Sequence, residues 1–75
     1  MREIADNTRM RHFMGKEYTF LHKGWHTETN ECFAVYRAEY GDRKIYIRPY
    51  DMFVSEVDRE KYPDVVQRYR FEEIE

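Results

Sequence analysis

The stretch Cys32-Phe33-Ala34-Val35-Tyr36-Arg37-Ala38-Glu39-Tyr40-Gly41-Asp42-Arg43-Lys44-Ile45-Tyr46-Ile47-Arg48-Pro49 decides the fold class. Its first part, Cys32 to Tyr40, is rich in aromatic and small apolar residues with a period of two. Phe33, Val35 and Arg37 fall on one side of the strand, and Ala34, Tyr36, Ala38 and Tyr40 on the other. Neither side is cleanly polar, which predicts that both are partly covered. Gly41-Asp42 is a tight-turn signal, and Lys44 to Arg48 follows as the partner strand. There Ile45 and Ile47 are expected to point inward, with Tyr46 and Arg48 turned the other way. Pro49 ends the strand because it has no N–H to donate to a ladder.

Working outward, Glu17 to Trp25 reads as another strand, with Tyr18, Phe20 and His22 on one face and Thr19, Leu21 and Lys23 on the other. Gly24 marks a bulge or a close approach of two backbones. Residues 26–31 are a polar connection built from turn formers. Residues 1–10 carry only Ile4 and Met10 as large apolar groups, so a frayed leader or short helical turn is expected there. Beyond Pro49, residues 50–54 read as a turn with apolar plugs, leading to a short strand near Val57. Tyr62, Val65, Val66 and Tyr69 lie at helical spacing after a polar loop, and Pro63 suits a first helical position, so a short helical turn is expected near the C-terminus. Arg70 to Ile74 alternates and is placed to close the sheet. The sum is a mainly β chain, a small antiparallel barrel of four or five strands, with a leader over residues 1–10 and one domain over residues 11–75. Closure is the usual way a small all-β chain removes exposed edges.

Composition agrees with one domain. The chain has 75 residues, 41% of them apolar, 17% aromatic and 37% charged, with a formal net charge of −2. A chain of this size buries only about 60% of the surface its unfolded form exposes. Rings that each bury about 150–250 Å² are therefore needed for cohesion. The charge is uneven: residues 1–25 are net basic, residues 26–50 neutral and residues 51–75 net acidic. No basic stripe results, which argues against general duplex binding through many phosphate contacts. A single cysteine, Cys32, forbids an internal disulfide and fits a reducing cytoplasm. No apolar run has the length of a membrane span or of a signal peptide.

An ordered set of short motifs runs through nearly the whole sequence. These are His12-Phe13-Met14-Gly15, His26-Thr27-Glu28-Thr29, Tyr36, Tyr40-Gly41-Asp42, Arg48-Pro49, Met52-Phe53 and Tyr69-Arg70-Phe71. The set resembles a bacterial family of small domains of unknown function, DUF1653, from about residue 11 to residue 74. The resemblance implies an SH3-like barrel, alone or fused to other domains; it does not imply any particular activity. The chain departs from the family pattern in three places: Met14 where a lysine is common, Tyr46 where a tryptophan is common, and Asn30-Glu31-Cys32 where a Leu-Glu-Pro-like run is common.

Three groups of residues bear on function. Arg48 offers planar, bidentate donors to a carboxylate or phosphate, and Tyr36, Tyr40 and Tyr46 can stack on bases or proline rings. With Arg70, His26 and Glu28 they form a candidate recognition surface. The alternative is that the rings are core and Arg48 pairs with Asp51 or Glu39. His26 and Glu28 sit two apart in extended chain, where they could share a ligand or a proton. The competing reading is a turn whose polar side chains bond its own backbone. His12, His22, His26 and Cys32 lack the tight paired spacing of a zinc site, so no metal or cofactor is expected. Cys32 opens an apolar strand and reads as packed rather than as a nucleophile. The favoured expectation is a small non-enzymatic module that binds a peptide or a single-stranded nucleic acid, as a monomer or weak homo-oligomer, without membrane contact. The alternative is a small hydrolase-like enzyme or enzyme accessory that uses the His26 and Glu28 pair.

Overall fold

The computed structural model describes residues 1–74. Five strands, β1 (Thr8–His12), β2 (Glu17–Trp25), β3 (Cys32–Ala38), β4 (Ile45–Pro49) and β5 (Phe71–Glu73), form one antiparallel sheet in the order β4-β3-β2-β1-β5. The one helix, α1 (Tyr50–Phe53), follows β4 directly. The fold is mainly β, as its alternating sequence predicts.

The expected SH3-like barrel does not close. β5 adds to β1, and β4 is left as the opposite edge, so a seam separates the two ends of the sheet. The physical reason is local. Pro49 stops β4, and α1 turns Tyr50 and Phe53 into the seam in place of a fifth pairing. Phe53 is fully buried there, stacked on Phe71 with centroids 4.2 Å apart and planes 17° apart, and tilted against Tyr36 at 4.9 Å. Met10, Phe20, Phe53 and Phe71 are the largest fully buried side chains, with Ala34, Tyr36, Tyr50 and Val54 around them. Each buried ring removes enough apolar surface to be worth about 1.5–3 kcal/mol.

The residues before Thr8 are not a frayed leader. Ile4 is 6% exposed within the core, and its N–H donates to the Tyr50 hydroxyl at 3.1 Å. That hydroxyl in turn donates to the Arg2 carbonyl at 2.8 Å. The Arg2 guanidinium donates to the Phe71 carbonyl at 3.1 Å and lies over the Tyr69 ring. Thr8 to Arg11 then pair with β2, and Met10 to His12 with β5.

Two side-chain directions also differ from expectation. A bulge at Leu21 shifts the β2–β3 register between Phe20, opposite Tyr36, and His22, opposite Val35. An extra residue reverses the alternation, so Phe20 is buried and His22 exposed. At Gly24, where the sequence predicts a bulge or close approach, an added Cβ would lie 3.5 Å from the Val35 side chain, an ordinary contact. In β4, Tyr46 lies opposite buried Tyr36 and Arg48 opposite buried Ala34, which turns both toward the inner face. Ile45 and Ile47 therefore point outward, 57% and 65% exposed.

No helix forms near the C-terminus. Val66 is 95% exposed, so it adds nothing to a helical apolar stripe, while Tyr62 packs on Phe13 and Tyr69 under Arg2, on different neighbours. Arg59 donates to the carbonyls of Val65 and Gln67, and the Glu72 carboxylate accepts from the N–H groups of Arg68 and Tyr69. These bonds hold residues 65–69 as an irregular strap. The short strand expected near Val57 is a single bridge between Glu56 and Tyr69.

Candidate anion-binding cleft

Six of the thirteen lysines and arginines are paired with carboxylates where they stand. Glu17 pairs with Arg9 and Arg11, Glu3 with Lys23, and Glu56 with Arg68. Glu39 accepts from the hydroxyl of buried Thr19 and is paired with both Arg37 and Arg43. The Thr19 bond and the two guanidiniums hold its carboxyl down at about 2. Glu39 thus ties the outer faces of β2 and β3 together, and it is not a partner for Arg48.

Arg48, Lys61 and Arg70 are different. Among the described residues they have no carboxylate partner, and all three line one cleft of about 260 Å³ at the seam, together with His12, Phe13, Met14, Asp58 and Tyr62. The end of β1 supplies His12, the end of β4 Arg48, the residue before β5 Arg70, and the loop after α1 Asp58, Lys61 and Tyr62. Asp58 brings one negative charge to the lining but makes no ion pair; its carboxylate caps its own turn, accepting from the N–H groups of Glu60 and Lys61. The Arg70 Nε is buried and has no hydrogen-bond partner. A buried, unsatisfied donor on a cation demands a physical explanation.

His12 forms the back of the cleft. Its Nδ1 accepts from the Met14 N–H at 3.1 Å, which leaves the proton of the neutral ring on Nε2. The ring packs 4.4 Å from Phe13 and 4.9 Å from Phe71. Burial, then the charges of Arg48 and Arg70, lower its pKa from the ordinary histidine value. Phe13 continues to Tyr62 at 4.9 Å, giving one wall of the cleft an aromatic surface.

On the other side the inner face carries a row of tyrosines. Tyr46, Tyr36, Tyr18 and Tyr40 follow one another with centroids 5.5–5.9 Å apart. Tyr36 is core, and burial raises its pKa against the opposing influence of Arg48. Tyr40 and Tyr46 are half-exposed at the rim. The Tyr40 hydroxyl bonds that of Tyr18 at 2.7 Å, and Lys16 lies over the Tyr40 ring. So Arg48 and Arg70 come together beside Tyr36 and Tyr46, with Tyr40 further along the row.

His26 and Glu28 lie elsewhere, in the turn beyond the far end of β2 from Tyr18. The His26 Nδ1 accepts from the N–H groups of Glu28 and Thr29 at 3.1 and 3.3 Å, so the ring braces the turn. The Glu28 side chain is exposed and makes no bond to that ring. Cys32 packs half-buried against the core. The residues sequence reasoning omitted from the binding surface are His12, Phe13, Lys61 and Tyr62. The first two stand in the His12-Phe13-Met14-Gly15 motif, which was their available signal. The last two come from an irregular loop that leaves no periodic trace.

The larger concavity near the N-terminus, about 430 Å³, is a weaker candidate, because its one cation, Lys23, is tied to Glu3 and Glu31 and Asp51 also line it. Among the described residues no three His, Cys, Asp or Glu side chains gather as a metal site, and no helix is long and apolar enough to cross a membrane.

Residues 8–73 match the family model described as protein of unknown function, DUF1653, and the chain belongs to that family. No curated protein and no solved structure matches it.

Proposed function

We propose that this member of the DUF1653 family is a small non-enzymatic binding module whose cleft between His12, Arg48, Lys61 and Arg70 seats a carboxylate of a peptide. The observation that carries the reading is the gathering of cations without carboxylate partners, one with an unsatisfied buried Nε, in a protein whose other arginines are engaged. Two guanidiniums converging on one space suit a bidentate oxyanion. The Phe13 and Tyr62 wall suits the apolar part of the same residue or its neighbour.

A peptide is favoured over single-stranded nucleic acid. A nucleic-acid groove needs a cationic track that follows successive phosphates. Here Arg9, Arg11, Arg37 and Arg43 are each paired with a carboxylate, and the net charge is −2. The lone Cys32 thiol supports a reducing, cytoplasmic setting.

The test is titration of labelled protein with a peptide rich in Asp and Glu and with an oligothymidylate, at two salt concentrations. Arg48→Gln and Arg70→Gln are each expected to weaken the acidic peptide about tenfold or more, consistent with loss of a charge-assisted bond. Unchanged affinity in both variants overturns the reading. Tight oligothymidylate binding with a steep salt dependence would assign the cleft to nucleic acid instead.

A further inference from the structure

The geometry points to the free edge of β4 as the place where an extended acidic peptide joins the sheet as an added antiparallel strand; this rests on the carboxylate-binding reading of the cleft and says how the peptide lies. The backbone makes the first part of the case. Ala38 donates to the Lys44 carbonyl at 3.0 Å, and Tyr46 and Arg48 lie opposite Tyr36 and Ala34. In an antiparallel ladder the paired positions alternate, so Lys44, Tyr46 and Arg48 bond toward β3. Ile45 and Ile47 aim their N–H and C=O groups outward. Among the described residues nothing bonds them, and both side chains are exposed. Pro49 has no N–H, so the edge offers donors only at Ile45 and Ile47.

Charge decides the occupant. Lys44, Tyr46 and Arg48 share the inner side of this strand by alternation, and neither cation has a carboxylate partner among the described residues. A second copy of the chain, paired with Ile45 opposite Ile47, would set Lys44 directly against Arg48 on both sides of the twofold axis. Like charges opposite one another destabilise a sheet pair. An acidic strand answers both cations at once. Its residue opposite Arg48 occupies a non-hydrogen-bonded position, where side chains approach most closely, and Arg48 carries that carboxylate into the cleft it shares with Arg70. The pattern that fits is acid, apolar, any residue, apolar, acid, with the apolar residues exchanging backbone bonds with Ile47 and Ile45.

The probe is acetyl-Glu-Val-Thr-Val-Glu-amide, titrated into isotope-labelled protein. At saturation the Ile45 and Ile47 amides are expected to exchange with solvent at least tenfold more slowly. N-methylation of both valines should weaken binding at least tenfold, while N-methylation of the threonine, which points away from β4, should change it less than threefold. If the doubly methylated valine peptide binds equally well and Arg48→Gln still weakens it, edge pairing is overturned and the cleft reading stands. If methylation matters but Arg48→Gln and Arg70→Gln do not, the cleft reading falls, and the acidic pattern with it. Absence of any binding at millimolar peptide overturns both. Slow exchange at Ile45 and Ile47 that rises with protein concentration, without peptide, would mark a second copy and also overturn the proposal.

Discussion

The seam is filled by α1, and Phe53 is the side chain that fills it, so truncating Phe53 should be among the most damaging changes the protein can take. The ring is fully buried, stacked on Phe71 and within aromatic contact of Phe20 and Tyr36. Phe53→Ala removes its burial and leaves a cavity that neighbouring rings cannot collapse to fill, a loss of about 3–5 kcal/mol. A domain of this size has roughly 4–11 kcal/mol in total, so the variant is expected to be largely unfolded at 37 °C. Phe53→Leu keeps the burial and loses mainly the ring–ring terms, about 0.5–1.5 kcal/mol. At a urea dependence of roughly 1 kcal/mol per molar for so small a protein, its midpoint should fall by about 1 M. Far-UV circular dichroism is the suitable assay, because Trp25 is 58% exposed and reports poorly on the core. A double-mutant cycle with Phe71→Leu should return a coupling of about 0.5–1.5 kcal/mol. A loss below about 1 kcal/mol for Phe53→Ala, where core truncations of this kind cost several, would refute the view that α1 substitutes for a strand.

Three further outcomes are expected. Glu39 has a pKa depressed to about 2, so the stability it contributes is present above the ordinary carboxylate range and lost as pH falls from about 4.5 toward 2; acid denaturation of Glu39→Gln should be shallower over that window. His12 has a lowered pKa, so the unfolded chain takes up its proton first and stability falls as pH drops below about 6.5; an anion in the cleft opposes the lowering, and proton NMR titration should find the His12 pKa raised by bound peptide and by Arg48→Gln. His26→Ala should cost about 1 kcal/mol by freeing the Glu28 and Thr29 amides, as for other local caps, and leave acidic-peptide affinity unchanged, since its ring braces a turn outside the cleft; a tenfold loss of affinity would contradict that placement.

The strands were legible where their residues alternate. Glu17–Trp25 has the bounds the sequence predicts, and Cys32–Ala38 differs only by ending two residues sooner. That Ala34, Tyr36 and Ala38 share one face could be read from the alternation, but not that this face is the inner one. What was not legible depends on neighbours. One extra residue at Leu21 moves His22 to the outer face, and no local signal distinguishes that position from an unbulged one. Ile45 and Ile47 read as core because they are apolar, yet the register that buries Tyr36 forces Tyr46 and Arg48 inward, and the isoleucines take the outside. Thr8–His12 carries little apolar signal because only Met10 is buried, while Arg9 and Arg11 lie exposed against Glu17. Of the candidate residues, Arg48, Arg70, Tyr36 and Tyr46 converge because chain ends far apart in sequence meet at the seam, while His26 and Glu28 do not join them.

The anchoring of Arg2 and Ile4 has a practical consequence for anyone trimming this protein. The family match starts at residue 8, but a version cut there would strip the Tyr50 hydroxyl of both its backbone partners and the Phe71 carbonyl of its guanidinium cap. The first few residues work as a latch across the mouth of the fold.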